Sequence, residues 1–162
     1  MKIVKPLLLF MIIALSCNVT FGQETVEKAT IRSFLQEVLV NKSYKANEIA
    51  DKYMSFRLFR DSVNTEKSQK ERKRLFKKHL KLINKKYSKL YDADSTQIIP
   101  YNELDLLHRV PFDKSVRHHI YAVAFRTDNL MYMWVEGQKI KAFDLYIIKG
   151  ESQEGDAYFV GY

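Results

Sequence analysis

Between residues 24 and 40 the apolar positions Ile31, Phe34, Leu35, Val38 and Leu39 recur at the three-and-four spacing of an amphipathic helix. A polar break, Asn41-Lys42-Ser43, follows, and the stretch from Tyr44 to Met54 repeats the spacing with Ile49, Ala50, Tyr53 and Met54. So short a break predicts a second, shorter helix packed back on the first as a hairpin. Ser68 and Glu71 then match the Ser-x-x-Glu capping box, in which side chains satisfy two orphan backbone donors at a helix start. A long third helix is expected from there to about Tyr91. Its apolar stripe is Phe76, Leu80, Ile83, Tyr87 and Leu90, widened by Leu75 and Leu82, and its opposite face is almost wholly Lys and Arg.

Beyond Asp92 the period changes. Pro100 and Pro111 break any helix, and the residues become β-branched and aromatic. Val116 to Phe125 alternates, with Val116, His118, Ile120, Ala122 and Ala124 on one face and Arg117, His119, Tyr121, Val123 and Phe125 on the other. Thr127-Asp128-Asn129 turns into a strand from Leu130 to Val135, and Glu136-Gly137-Gln138 turns into another from Ile140 to Ile148. A polar loop through Gly150 and Gly155 leads to a last strand, Ala157 to Tyr162. The fold class is therefore α+β: a helical hairpin and a long basic amphipathic helix packed on a C-terminal antiparallel sheet of about four strands, with helices over one face.

At the N-terminus, Lys2 and Lys5 precede an apolar run from Leu7 to Leu15, and a polar stretch ends in Thr20-Phe21-Gly22. This is the build of an export signal, and its apolar run of about nine residues is well short of the roughly 20 that span a bilayer. Cleavage after Gly22 leaves residues 23–162 as one domain. The competing reading is a lipoprotein tethered through Cys17, since Ala14-Leu15-Ser16-Cys17 resembles a lipoprotein box, although Ala14 stands where such boxes usually carry Leu. The expected location is the periplasm or outside the cell in the first case and a membrane surface in the second. Cys17 is the only cysteine, so no disulfide is expected. A domain of this size buries roughly two thirds of its surface and needs none.

Charge sharpens the picture by its distribution. Residues 23–162 hold 25 Lys and Arg against 19 Asp and Glu, a balance of +6. Residues 66–90 alone hold eleven basic and two acidic side chains, so the basicity belongs to one segment. Lys73, Lys77, Lys81 and Lys85 form a row along that helix. Such a face either is simply solvated, over a stripe that covers the sheet, or docks on an anionic membrane or envelope surface. Nucleic acid is not expected as a partner, because the chain is exported and the helix has no base-reading motif.

Residues 26 to 58, with Ile31, Phe34-Leu35, Tyr44, Ile49-Ala50 and Lys52-Tyr53-Met54-Ser55 before Leu58, resemble the opening helices of the NTF2-like, or cystatin-like, superfamily. The resemblance covers about a third of residues 23–162. It implies a sheet curled around the helices into a cone, and catalytic members use a few polar residues inside that cone. The long basic helix departs from a simple small cone. Asp61-Ser62-Val63 and Asp94-Ser95-Thr96 resemble short acceptor motifs for O-linked glycans on some exported bacterial proteins.

Candidate chemistry is sparse. His118 and His119, adjacent in an expected strand, point to opposite faces and cannot share a metal there, so no metal site is expected. With no Gly-rich phosphate loop, no Gly-x-Ser-x-Gly elbow and no thiol after cleavage, no cofactor is expected either. An acid–base enzyme of the cone type would draw on Asp144, His119 and Tyr121, with Tyr132 or Trp134 lining the same cavity. Alternation along Ile140 to Ile148 sets Asp144 opposite Phe143, Leu145 and Ile147, on the solvent face and ionising normally, with His119 likewise exposed. The expected function is thus a non-catalytic module binding a small molecule or a protein partner. The alternatives are a small cone-pocket enzyme and an envelope-docking protein using helix 66–91.

Overall fold

The computed structural model describes residues 24–41, 43–55, 66–126, 130–144, 146–148 and 157–159. The expected signal with Cys17, the Asp61-Ser62-Val63 triplet, the turn at 127–129 and the loop through Gly150 and Gly155 lie outside the described residues.

Helix α1, Val26–Leu35, starts at Thr25, whose hydroxyl accepts the Lys28 amide at 3.3 Å. It passes into a wider π-helical turn, Gln36–Val40, that buries Val38 and Leu39. Helix α2, Ala46–Tyr53, packs back on it as the spacing predicts. Glu37 ties the hairpin together: Lys52 Nζ lies 2.6 Å from its carboxylate and the Tyr53 hydroxyl donates to the same oxygen at 2.8 Å.

Helix α3 is Glu66–Tyr87. Ser68 is therefore inside it, not at its cap, which corrects the capping-box reading. Phe76, Leu80, Ile83 and Tyr87 are all 0% exposed, and Leu90 packs on the same core from the turn just past the helix end. Leu75 and Leu82 do not widen the stripe, being 45% and 53% exposed. Each precedes a stripe residue by one position, which swings it about 100° around a helix of 3.6 residues per turn.

Strands β1 Gln97–Pro100, β2 Ile120–Ala124, β3 Leu130–Glu136 and β4 Lys139–Phe143 form an antiparallel sheet in chain order. The α+β class stands, with the three helices and this four-stranded sheet. β5 Tyr146–Ile148 and β6 Ala157–Phe159 pair separately. Two strand readings need correction. Residues 117–119 form a 3₁₀ turn, so β2 starts at Ile120 and not at Val116. The run expected from Ile140 to Ile148 is broken at Asp144, whose φ of +59° is left-handed and ends the extended chain.

The sheet is covered on both faces. Tyr121, Val123, Met131, Met133, Val135, Ile140 and Phe143 join the helices in the main core. Ile120, Ala122 and Tyr132 face the other way and meet Tyr101, Leu104, Phe112 and Ala157 in a second one. That face is closed by the 3₁₀-rich segment between β1 and β2. Tyr101 donates to the Val110 carbonyl at 2.7 Å, and the Ala157 amide to the Pro111 carbonyl at 2.9 Å.

Gly137 turns β3 into β4 at φ +55°, with nothing within 4 Å of where a Cβ would stand. Only the backbone then opposes a side chain, so Gly137→Ala lowers stability by about 1 kcal/mol, measurable by urea unfolding.

Candidate functional site

Asp144 is neither exposed nor isolated. Its left-handed backbone takes its side chain out of the strand alternation and toward α3, leaving it 12% exposed. The Tyr87 hydroxyl donates to its Oδ1 at 2.7 Å, Lys86 Nζ lies at 3.4 Å and His79 Nε2 lies 3.7 Å from Oδ2. His79, 4% exposed, stacks on Phe143 with ring centroids 4.7 Å apart and planes 7° from parallel. Burial pushes the Asp144 carboxyl up, but His79, the Tyr87 hydroxyl and the Lys86 charge outweigh it and hold the group below its ordinary value. The expectation of normal ionisation on a solvent face is thereby corrected.

A depressed carboxyl stabilises the fold above the unfolded-state pKa of about 3.9, and that contribution is lost as pH falls through the lower folded value. Asp144→Asn is therefore less stable than the parent at pH 6, and the gap narrows below about pH 4. Urea unfolding of both proteins across that range checks this.

The other residues of the expected catalytic group do not gather around Asp144. Tyr121 is 9% exposed within the main core, and burial, with the charge of Glu27, pushes its hydroxyl up. In the β2–β3 register Tyr121 pairs with Met133, while Ala122 and Ile120 pair with Tyr132 and Trp134. Tyr132 and Trp134 therefore sit on the sheet face away from the helices, and the shared cavity is not assembled. Tyr132 packs on Phe112 in the second core, and Trp134 Nε1 donates to Glu136 at 3.0 Å. His119 is half-buried and, because residues 117–119 turn, its ring lies against that of His118 at 3.8 Å instead of across the sheet. Among the described residues no group of three His, Cys, Asp or Glu is placed to hold a metal ion.

The basic row is assembled. Lys77, Lys81 and Lys85 are exposed along α3 and Lys73 is half-buried. Among the described residues Lys77, Lys81 and Lys85 form no ion pair. Lys77 and Lys81 line a cavity of about 290 Å³ with Tyr44, Ala46 and Asn84, where α3 meets the start of α2. Asn84 holds the corner, donating to the Val38 carbonyl at 2.6 Å. A larger cleft of about 690 Å³ beside Met54 is lined by charges of both signs, Asp51 and Glu136 with Lys139 and Lys141. There Lys141 pairs with Glu136 at 3.2 Å, and Lys139 donates to the Asp51 and Lys52 carbonyls at 2.9 and 3.0 Å.

Sequence reading missed His79 and the Asn84 corner. His79 stands three residues after Phe76 and four before Ile83, so its place at the edge of the buried stripe was legible. In the Asp94-Ser95-Thr96 triplet Ser95 is exposed in a turn, while Thr96 is buried and its hydroxyl accepts the Asp92 amide at 3.2 Å. No helix of the described residues is long and apolar enough to cross a membrane. Compared with known proteins, the chain matches no family model, no curated protein and no solved structure.

Proposed function

We propose that this protein is a non-catalytic binding module of the bacterial cell envelope, exported by its N-terminal signal, that holds an anionic envelope polymer on the outer face of α3. The observation that carries the reading is the division of labour on that helix. Its apolar stripe is consumed by the core, with Phe76, Leu80, Ile83 and Tyr87 at 0% exposure, so the stripe is not available to lie in a bilayer. What remains outside is predominantly cationic, with Leu75, Leu82 and Glu71 among the lysines and arginines, and a surface of largely one sign attracts polyanions over a Debye length and fixes them loosely. Helices gathered over one face of an antiparallel meander support the NTF2-like resemblance of residues 26 to 58. The interior that a cone would offer to a ligand is filled by Phe34, Phe76 and Phe143, with ring centroids 5.1 Å apart for Phe34 and Phe143 and 6.4 Å for Phe76 and Phe143.

The cone-pocket enzyme has one observation in its favour, the His79–Asp144–Tyr87 cluster. A general acid needs a carboxyl raised toward neutrality, and Asp144 is held down. Its partners join α3 to the end of β4, which is a structural use.

Residues 23–162 should bind polyphosphate at low ionic strength and lose it steeply as salt rises. No binding at 20 mM salt, or binding indifferent to salt, would overturn the reading.

A further inference from the structure

The cavity between α2 and α3 is a more specific feature than the charge around it. It is lined by Lys77 and Lys81, one helical turn apart, with Asn84, Tyr44 and the small Ala46. Burial pushes the Tyr44 hydroxyl up, so at neutral pH it is a neutral group able to donate. Among the described residues no carboxylate lines the cavity. The nearest acid on α2's first turn, Glu48, is answered by Lys45 at 2.9 Å. No side chain caps the start of α2, where backbone amides carry partial positive charge.

Resting on the reading of α3 as an anion-holding face, we infer that this cavity is a socket for a phosphate monoester group. Three features select that chemistry. The cations are lysines, compact point charges of the kind that bind phosphate. The donors come from α3 (Lys77, Lys81 and Asn84) and from Tyr44 in the segment leading into α2, two sides from which a group with several oxygens in different directions is met. The volume of about 290 Å³ equals that of about ten waters at ~30 Å³ each, room for a phosphate and a small organic substituent against the Tyr44 ring.

Phenyl phosphate, phenylphosphonic acid monomethyl ester and benzoate, titrated into the isotopically labelled protein, test this by amide shifts. Phenyl phosphate should bind at least tenfold more tightly than the singly charged phosphonate and benzoate, and shift Tyr44, Ala46 and Asn84. Lys77→Gln with Lys81→Gln should weaken it at least tenfold. Lys28→Gln with Lys114→Gln, which removes equal charge away from α3, should change it less than threefold. Equal losses in the two double variants, or benzoate bound as tightly as phenyl phosphate, would overturn the socket. So would polyphosphate binding without any response to phenyl phosphate, and that outcome leaves the broader reading intact. If polyphosphate fails as well, both fall. Vesicles containing phosphatidic acid identify the source of the phosphate: binding displaced by phenyl phosphate assigns a lipid headgroup, and phenyl phosphate binding without vesicle binding assigns a soluble ester, both in keeping with the socket.

Discussion

Leu80→Ala destabilises the fold by about 2–5 kcal/mol, the range for a large side chain removed from a packed core. Leu80 is 0% exposed and sits in the middle of α3, between Phe76 and Ile83 in the stripe that faces the helical hairpin and the sheet. Deleting its isopropyl group leaves a hole that the surrounding core side chains cannot fill without moving. Leu82 is the internal control. It is on the same helix, two residues on and 53% exposed, so Leu82→Ala changes stability by no more than about 0.5 kcal/mol. Urea unfolding of the two variants separates a helix that is part of the core from one that only rests on it. A Leu80→Ala protein as stable as the parent would mean that the stripe serves a surface.

Reversing Lys77, Lys81 and Lys85 to glutamate should weaken polyphosphate binding at least a hundredfold at low salt, because six units of charge change on the face that meets the ligand. The difference should vanish near 1 M salt, where the Debye length is about 3 Å. Stability should hold, since all three side chains are exposed and form no ion pair among the described residues. A thermal melt of the variant therefore accompanies the binding curve.

Which parts of this molecule were legible follows from where periodicity exists. The stripe of α3 and the hairpin of α1 and α2 could be read because a 3.6-residue period repeats over several turns. The β3–β4 hairpin could be read because alternation flanks a Gly turn. Segment 101–119 could not, since Tyr101, Leu104 and Phe112 are anchors spaced by 3₁₀ turns and prolines, and their burial obeys no period. For the same reason the second core, and the covering of the sheet's outer face, were invisible. Asp144 was misplaced because alternation was carried through a residue that breaks it: a left-handed aspartate looks, in sequence, like any polar position on a strand. The basic row was legible as charge, but the cavity beside it depends on how α2 meets α3, which only tertiary packing fixes.

The reading of α3 as the binding face is tested most directly by mapping amide shifts of residues 23–162 during a polyphosphate titration at low salt. The shifts should cluster along the exposed side of α3, from Lys77 to Lys85, and extend to Tyr44 and Ala46, leaving β1 to β4 unmoved. Shifts concentrated instead at the exposed leucines Leu106 and Leu107, or beside Met54 around Lys139 and Lys141, would contradict it.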